Sequence, residues 1–346
     1  MTRIQDVARD AGVSISTVSN VLNGRAERMS RETLERVEAS IARLAFRPNR
    51  AARLLKTGHT PMLGLLVPSI TNPMYGSIAR EVELAAQERH QYRVLLGNTY
   101  RSRDKETSFI EDLLSHGVRA VIVISSLADE AHIESAIRRG MVVVSYDRRA
   151  QAGSTSRIDH VSVDNFKAGR MAAAHLIARG HRNLAFASAS GMTMSRADKI
   201  AGFMDAAAGA GPDIKTTVIE SRAASEYGDA ELVEVGRALA AKVARGRNRP
   251  TGIVAVNDML AIGLIAGLRE HGLSVPDDVS VVGMDNLFLG PLITPALSSV
   301  GLPLAEMARV MVERVISRLD KPDVPTAEFL FEPELAERSS VAAPKA

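Results

Sequence analysis

The N-terminal part of the chain carries its apolar residues at helical spacing and predicts three short helices. Gly12 supplies a sharp turn after the first helix, Ser14 can cap the second, and a third helix starts at Ser30. Inward-facing residues of the first two helices form one stripe each: Ile4, Val7, Ala8, Ala11, Val18, Val21 and Leu22. Helix, tight turn and helix are typical of a helix-turn-helix, although any small helical bundle shares this pattern.

The outward face of the second helix favours the DNA-reading interpretation. Its residues are small or able to form hydrogen bonds, and none carries a charge: Ile15, Ser16, Thr17, Ser19 and Asn20. Asparagine can bond an adenine edge through two hydrogen bonds, serine reaches bases or phosphates, and isoleucine can contact a thymine methyl group. The sequence therefore predicts a helix that fits a major groove.

A basic segment follows the three helices. Residues 1–60 hold 11 Lys and Arg against 6 Asp and Glu, whereas the remainder of the chain is nearly neutral. Pro48 breaks the preceding helix, Asn49 can cap a short new one and Gly58 can end it. The segment is either a basic linker helix or a hinge that folds on DNA and inserts a leucine into the minor groove.

The rest of the chain alternates buried strands with amphipathic helices. Continuous apolar runs fit strands of a parallel sheet that is covered on both faces. They lie at 63–67, 94–96, 120–124, 142–144, 184–187, 252–256 and 279–282. This alternation predicts a doubly wound α/β architecture, and the strands are too numerous for one comfortable sheet.

Several segments closely resemble the LacI/GalR family of bacterial repressors. They are IQDVA at 4–8, AGVS at 11–14, TVSNVLNG at 17–24 and FRPN at 46–49, and shorter matches extend over almost the whole chain. The resemblance implies an N-terminal all-α helix-turn-helix head, joined by a hinge helix to a two-lobed, periplasmic-binding-protein-like α/β body with parallel doubly wound sheets. It also implies a ligand cleft between the lobes.

The resemblance further implies that the chain crosses between the lobes three times. We expect the first crossing within 151–159, a polar stretch rich in Gly and Ser, and the others near 290–294 and near 320–325. The expected domains are a head at 1–58 with its hinge helix at 49–56, a first lobe at 59–160 and 291–321, and a second lobe at 161–290 and 322–340.

Polar residues that follow apolar strands are candidates for effector binding, because ligands of open α/β sheets bind at strand ends. By chemistry alone a structural turn role is equally plausible, but the resemblance favours binding for Asp147, Asn257 and Asp285. Lys199 stands where many relatives carry an arginine, and a lysine binds as a point charge. The expected effector-binding residues are Asn72, Tyr75, Ser125, Asp147, Arg148, Ser195, Lys199, Asn257, Asp258 and Asp285. The set suits a sugar or sugar acid.

The resemblance also extends the expected DNA contacts beyond the second helix. Leu55 aligns with the inserting leucine of the family, and Leu54 beside it departs from the usual small or polar residue. The expected DNA-binding residues are Thr2, Ser14, Ile15, Ser16, Thr17, Ser19, Asn20, Asn23, Arg50, Arg53, Leu55 and Lys56. The expected partner is double-stranded palindromic operator DNA, bound by a homodimer, because one helix-turn-helix buries too little surface for a tight site.

Other protein classes receive little support from the sequence. No cysteine, common enzyme motif, metal-ligand spacing or long apolar stretch occurs, so we expect no catalytic residues, metal, cofactor or membrane span, and a cytoplasmic location. Three functions fit such a chain: an effector-controlled repressor, a sugar receptor of the transport class, and an enzyme with a DNA-binding head. The basic head and the lack of a secretory signal favour the repressor. The sequence leaves open whether the effector induces or co-represses.

Overall fold

The computed structural model describes residues 2–22, 29–46, 61–125, 131–149, 157–191, 193–222 and 231–345. The chain divides into two compact units, Met1–Thr60 and Pro61–Ala346, which we call the head and the body. The expected hinge helix at 49–56 lies outside the described residues, and so do five of the expected DNA contacts: Asn23, Arg50, Arg53, Leu55 and Lys56.

The described part of the head consists of three helices around a small apolar core, as the sequence predicted. They are α1 (Ile4–Asp10), α2 (Ile15–Leu22) and α3 (Arg31–Arg43). Gly12 takes a φ of +62° between α1 and α2, a conformation that glycine adopts without a steric penalty. Ser30 caps α3 by accepting a hydrogen bond from the Thr33 amide. The buried core comprises Val7, Ala8, Ala11, Val18, Val37 and Phe46.

Two six-stranded sheets form the described part of the body. The first has the spatial order β11-β5-β4-β3-β1-β2 and the second β12-β10-β9-β8-β6-β7. The first sheet contains β1 (Met62–Val67), β2 (Arg93–Asn98), β3 (Ala120–Val123), β4 (Val142–Tyr146), β5 (Ile158–Val163) and β11 (Glu328–Phe331). The second contains β6 (Asn183–Ala189), β7 (Lys215–Ser221), β8 (Gly252–Ala255), β9 (Ser280–Asp285), β10 (Ser298–Gly301) and β12 (Glu334–Ala336). Neighbouring strands are parallel, except that β12 runs antiparallel to β10.

Helices cover both faces of each sheet, so the predicted doubly wound α/β fold is confirmed. They are α4 (Pro73–His90), α5 (Arg103–Ser115), α6 (Ala131–Arg138), α7 (Asn165–Ala178), α8 (Met194–Ala210), α9 (Glu231–Arg245), α10 (Asp258–Glu270) and α11 (Leu304–Asp320). On the first sheet, Ile78 of α4 and Met311 of α11 join one core cluster, while Ile110 of α5 and Ile133 of α6 join another. Phe203 of α8 packs edge-on against Phe186 of β6.

Sheet membership corrects the expected lobe boundaries. Strand β10 pairs with β9 in the second sheet, although residues 291–321 were expected in the first lobe. Strand β11 pairs with β5 in the first sheet, although residues 322–340 were expected in the second lobe. The expected second crossing near 290–294 coincides with a 3₁₀ turn at Gly290–Leu292, which precedes β10 of the second lobe.

The chain therefore changes sheet later than expected at each crossing. The first change follows β5, because Asp164 already caps α7 of the second lobe. The second lies between β10 and α11, and the third between β11 and β12.

Candidate functional site

The outward side of α2 carries the polar groups of the head that the sequence singled out. Ser14, Ser16 and Asn20 are exposed, Ile15 is 47% exposed, and Val18 on the opposite side is fully buried. Thr17 and Ser19, also expected to contact DNA, are half-buried. The helix thus anchors through its apolar side and presents hydrogen-bonding groups to the solvent, which is the arrangement that groove reading needs.

Two of the expected DNA contacts also stabilise the head. Ser14 Oγ accepts a 3.1 Å hydrogen bond from the Thr17 amide and so caps the first turn of α2. The hydroxyl of Thr2 donates to the carbonyl of Leu44 at 3.2 Å, which joins the N-terminal segment to the end of α3.

A cavity of about 380 Å³ lies in the body, with lining residues from both lobes. It contains nine of the ten expected effector-binding residues: Asn72, Tyr75, Ser125, Asp147, Arg148, Ser195, Lys199, Asn257 and Asp285. Its volume is in the range that small-molecule sites usually have. The sequence therefore located this group of residues correctly, while their contacts with an effector remain a prediction.

Strand ends and helix starts bring these side chains together. Asp147 follows β4 and Asp285 ends β9. Asn72 caps α4 by accepting from the Met74 amide, and Asn257 caps α10 by accepting from the Leu260 amide, each at 2.9 Å. Because the carboxyl ends of parallel strands and the positive ends of the following helices meet at one edge of a sheet, that edge attracts polar and anionic ligands.

The two carboxylates of the cavity sit on strained backbone. Asp147 has a φ of +59° and Asp285 a φ of +117°, in a region that residues with a side chain adopt rarely. Such conformations cost on the order of 1–3 kcal/mol and persist where the surrounding structure imposes them, often at ligand sites. Asn165 Nδ2 donates to Asp147 Oδ1 at 2.8 Å and fixes this carboxylate.

Tyr146 links the acidic groups of the two lobes electrostatically. Burial raises the pKa of its phenol well above the ordinary value, and Asp147, Asp285 and Tyr75 raise that pKa further. Carboxylates from both lobes therefore act on one buried phenol, which stays protonated and available as a hydrogen-bond donor at neutral pH.

Ser125 is oriented by a buried carboxylate behind the cavity wall. Its hydroxyl donates to Glu106 Oε1 at 2.9 Å, and Glu106 Oε2 lies 2.8 Å from His132 Nε2. Glu106 is fully buried. The Ser125 proton is therefore directed to Glu106.

Among the described residues, four basic side chains line the cavity, and the sequence singled out two of them. Lys199 Nζ donates to the carbonyl of Val256 at 3.4 Å. Arg196, one turn earlier on α8, donates through Nη1 to the carbonyl of Ala189 at 2.9 Å and to that of Gly191. Arg148 and Arg101 complete the set. The spacing of Arg196 and Lys199 is a signal that could have revealed Arg196.

Asp258 corrects the expected effector set, because it does not belong to the cavity lining. It is fully buried, and its carboxylate accepts hydrogen bonds from the Ser299 hydroxyl at 2.6 Å and the Leu287 amide at 2.7 Å. Asn257 is the extended cap that precedes α10, whereas Asp258 is the first helical residue, so Asp258 turns inward where Asn257 faces the cavity. Its place indicates a structural role.

The structure adds lining residues that sequence reasoning missed. Asn165 and Thr193 stand at helix starts, where a polar residue is a sequence signal for a site. The apolar lining residues carried no such signal, because an apolar residue in a cavity wall looks the same in sequence as one in the core. The added residues are Met74, Arg101, Ile124, Tyr146, Val163, Asn165, Thr193, Met194, Arg196, Ala197, Leu232, Val256 and Leu302.

Within the described ranges, no group of three or more His, Cys, Asp or Glu side chains could hold a metal ion. No helix of the described chain combines the length and hydropathy that crossing a bilayer requires.

Comparisons with known proteins bear on both units. Residues 3–49 match the lacI family of bacterial regulatory proteins, and residues 173–341 match the periplasmic binding protein-like domain. Catabolite control protein A of Priestia megaterium is 31% identical over 322 residues, which cover 93% of each chain. A LacI family regulator from Enterococcus faecium, solved with bound ribose, is 25% identical with a TM-score of 0.70, over 82% of this chain and all of the other.

The lac repressor dimer bound to operator DNA shares the fold, with a TM-score of 0.79 over 99% of each chain and 22% identity. A helix-turn-helix head followed by a two-lobed, ligand-binding type of body defines a bacterial transcriptional regulator. The chain belongs to the LacI family of these regulators. Since the family consists of transcriptional regulators, membership in it contradicts the alternatives of a transport receptor and an enzyme.

Proposed function

We propose that the protein is a repressor that binds a two-fold operator as a homodimer. Its operator affinity falls or rises when a small hydroxyl-rich effector occupies the cavity. The observation that carries the proposal is the cavity itself, in which Asp147 of one lobe and Asp285 of the other line a common space. A ligand bound to both lobes stabilises one spacing between them, so it can shift a conformational equilibrium. In the same proposal the protein acts in the cytoplasm, where it meets its DNA partner.

The cavity chemistry supports a sugar or sugar acid. Carboxylates accept hydrogen bonds and amides both donate and accept, which matches neighbouring hydroxyl groups. Asp147, Asp285, Asn72, Asn165 and Asn257 supply these groups. The ribose-bound regulator from Enterococcus faecium supports the same ligand class.

The head supports operator reading through α2, with Asn20, Ser16 and Ile15 as the base contacts. In the same proposal two hinge segments pair in the dimer, and Leu55 of each enters the minor groove at the centre of the operator. Unstacking a base step costs a few kcal/mol, which the contacts made by the bent DNA offset. A deformable pyrimidine–purine step is therefore expected there.

Exposed apolar residues of the first lobe support the proposed homodimer, because a second copy of the chain could cover them. Leu96 lies on β2, the edge strand of the first sheet, and is 48% exposed. Leu84 on α4, which packs beside β2, is exposed as well. Substitution Leu96→Glu should weaken dimerisation and operator affinity. The matched control is Leu330→Glu, because Leu330 is 45% exposed on the opposite edge strand β11.

The deciding experiment selects duplexes from a random pool with the purified full-length protein and then screens sugars and sugar acids by thermal shift. A ligand in large excess over its dissociation constant stabilises the protein by about 2.7 kcal/mol or more. The proposal expects a palindromic consensus whose affinity changes with the stabilising ligand, and expects Asp285→Ala to abolish that change. Binding without sequence preference, or an unchanged operator affinity with bound ligand, would overturn it.

A further inference from the structure

One side chain of the second lobe is built into the core of the first. Leu287 follows β9 of the second lobe, and it is only 3% exposed. Its side chain belongs to the core cluster of the first lobe, together with Met74, Tyr146 and Met307. Among the described residues, Leu287 is the only buried member of this cluster that comes from a strand, helix or loop of the second lobe. It therefore connects the end of β9 to the first lobe.

Met259 makes a second apolar contact between the lobes. It lies in the first turn of α10 and packs against the core clusters of both lobes. Each contact comes two residues after a residue that lines the cavity, because Met259 follows Asn257 and Leu287 follows Asp285. Two short stretches of chain thus run from the cavity to the first lobe. We call them the coupling segments: 257–259 and 285–287.

Buried hydrogen bonds tie the two coupling segments to each other. Asp258 accepts from the Leu287 amide at 2.7 Å and from the Ser299 hydroxyl at 2.6 Å. The Ser299 oxygen in turn accepts from the Asn286 amide at 2.9 Å. Because Asp258 and Ser299 are fully buried, water does not replace a bond that is broken here. The two segments therefore move together.

The second coupling segment has little freedom to deform. Asp285 has a φ of +117° and Asn286 a φ of +52°, which residues with a side chain adopt rarely. Arg338 Nη2 donates to Asn286 Oδ1 at 2.6 Å, and a Cβ atom at Gly301 would lie 2.9 Å from the Cβ of Asn286. A closely packed segment transmits a displacement instead of absorbing it. A shift of Asp285 is therefore passed on to Leu287.

We infer that the coupling segments convert occupancy of the cavity into a change of lobe spacing, and that Leu287 and Met259 pass this change to the first lobe. An effector bound to Asn257 and Asp285 holds the first residue of each segment, and the packed ends then favour one arrangement of the lobes. Leu287 and Met259 are positioning residues, since neither belongs to the cavity lining. The inference rests on the proposed function, because it assigns how the same cavity controls operator affinity.

The test measures how strongly a sugar changes the operator affinity of the full-length protein. The duplex is the palindromic consensus selected with the wild type, and the panel is glucose, galactose, ribose, xylose, gluconate and galactonate, each in large excess. The coupling ratio compares the operator dissociation constants with and without the sugar, and such ratios are typically about 5–150-fold. Calorimetric titration gives the sugar affinity separately. Both are measured at about pH 8, where Asp258 is ionised.

Variants of the apolar contacts should separate coupling from binding. Leu287→Ala should bring the coupling ratio to within about twofold of one, while the sugar affinity changes by less than about fivefold. Leu287→Met retains the apolar volume and should keep most of the ratio. Leu268→Ala is the matched control, because Leu268 is also buried on α10 but belongs to the core of the second lobe alone. Met259→Ala should lower the ratio as well.

The outcomes distinguish this inference from the proposed function. A wild-type ratio in Leu287→Ala would overturn the inference and leave the proposed function standing. An equal loss in Leu268→Ala would do the same, because the loss would then follow from lower stability. If Leu287→Ala fails to fold, an unchanged ratio in Met259→Ala overturns the inference. If no sugar of the panel changes the operator affinity of the wild type, the proposed function fails, and the inference fails with it.

Discussion

The hydroxyl of Ser299 donates a 2.6 Å hydrogen bond to Oδ1 of the buried Asp258. The same hydroxyl oxygen accepts from the Asn286 amide at 2.9 Å, and Asp258 Oδ2 accepts from the Leu287 amide at 2.7 Å. Asp258 thereby connects the start of α10 to the backbone that follows Asp285. A group outside the cavity lining thus positions two residues that belong to it, Asn257 and Asp285.

Burial raises the pKa of Asp258 from 3.8 to about 6, against the opposing effect of the Ser299 hydrogen bond. The unfolded chain releases this proton near 3.8 and the native protein near 6. Between these values the native state binds the extra proton, so this group lowers the unfolding free energy as the pH rises through that window. This decrease in the unfolding free energy is complete above the native pKa and amounts to about 3 kcal/mol at most.

Asp258→Asn should remove this pH dependence. Relative to wild type, the variant should gain stability as the pH rises from about 4 to about 7, measured by urea unfolding at each pH. Asp213→Asn, at an exposed position, serves as the control and should show no such trend. A difference between Asp258→Asn and wild type that stays constant with pH would contradict the assignment.

Gly202 allows α7 and α8 to approach closely. A Cβ atom at this position would lie 1.8 Å from the Phe166 carbonyl oxygen, which belongs to the backbone of α7. Gly202→Ala must therefore displace α8, which carries Arg196 and Lys199. We expect it to lower the unfolding free energy by about 1–3 kcal/mol or more and to weaken effector binding.

Gly209 is the matched control on the same helix, because a Cβ atom there meets nothing within 4 Å. Gly209→Ala should raise the unfolding free energy by about 0.5–1 kcal/mol, since alanine restricts the unfolded chain and favours the helix. Equal effects of the two substitutions in thermal and chemical unfolding would show that the close helix contact is unimportant.

Much of the fold was predictable where buried strands consist of apolar residues, as in β1, β3 and β4. Strand β5 was missed because Asp159, His160 and Ser162 interrupt its apolar pattern although all are buried. The carboxylate of Asp159 is satisfied by Arg314, which lies 155 residues further along the chain. No local pattern reveals such a partner.

Prediction of the cavity residues from the sequence has the same limit, because local patterns do not reveal distant partners. Asp147 and Asp285 were recognisable because each follows an apolar strand, and the geometry of parallel sheets gathers strand ends. Tyr146 and Arg196 required the packing of the two lobes to be known. Asp258 was misassigned because it is the first helical residue of α10 while its neighbour Asn257 is the extended cap, so the two adjacent side chains point in different directions.

The buried carboxylate of Asp159 should contribute strongly to the stability of the protein. Its buried carboxylate accepts from Arg314 Nη2 and from Arg318 Nη1, each at 2.7 Å. Asp159→Ala leaves the buried Arg318 without its counter-charge and should lower the unfolding free energy by about 3–5 kcal/mol. Glu134→Ala, which breaks an exposed pair with Arg138, should cost less than about 0.5 kcal/mol. Comparable losses in urea unfolding would mean that Arg318 finds another partner.

Asn20 should determine one base pair of each operator half-site. Its amide is exposed on α2, one turn after Ser16 and on the side opposite the buried Val18. An asparagine amide matches the hydrogen-bonding edge of adenine, and a good two-bond contact provides about 1–3 kcal/mol of discrimination. Asn20→Ala should therefore lower operator affinity and remove the preference at one position, measured by titrating operators that carry each base there. Glu38→Ala, at an exposed position of α3, is the control and should leave the base preference unchanged. If Asn20→Ala instead weakens binding to all sequences equally, Asn20 contacts a phosphate, because phosphate contacts carry no base preference.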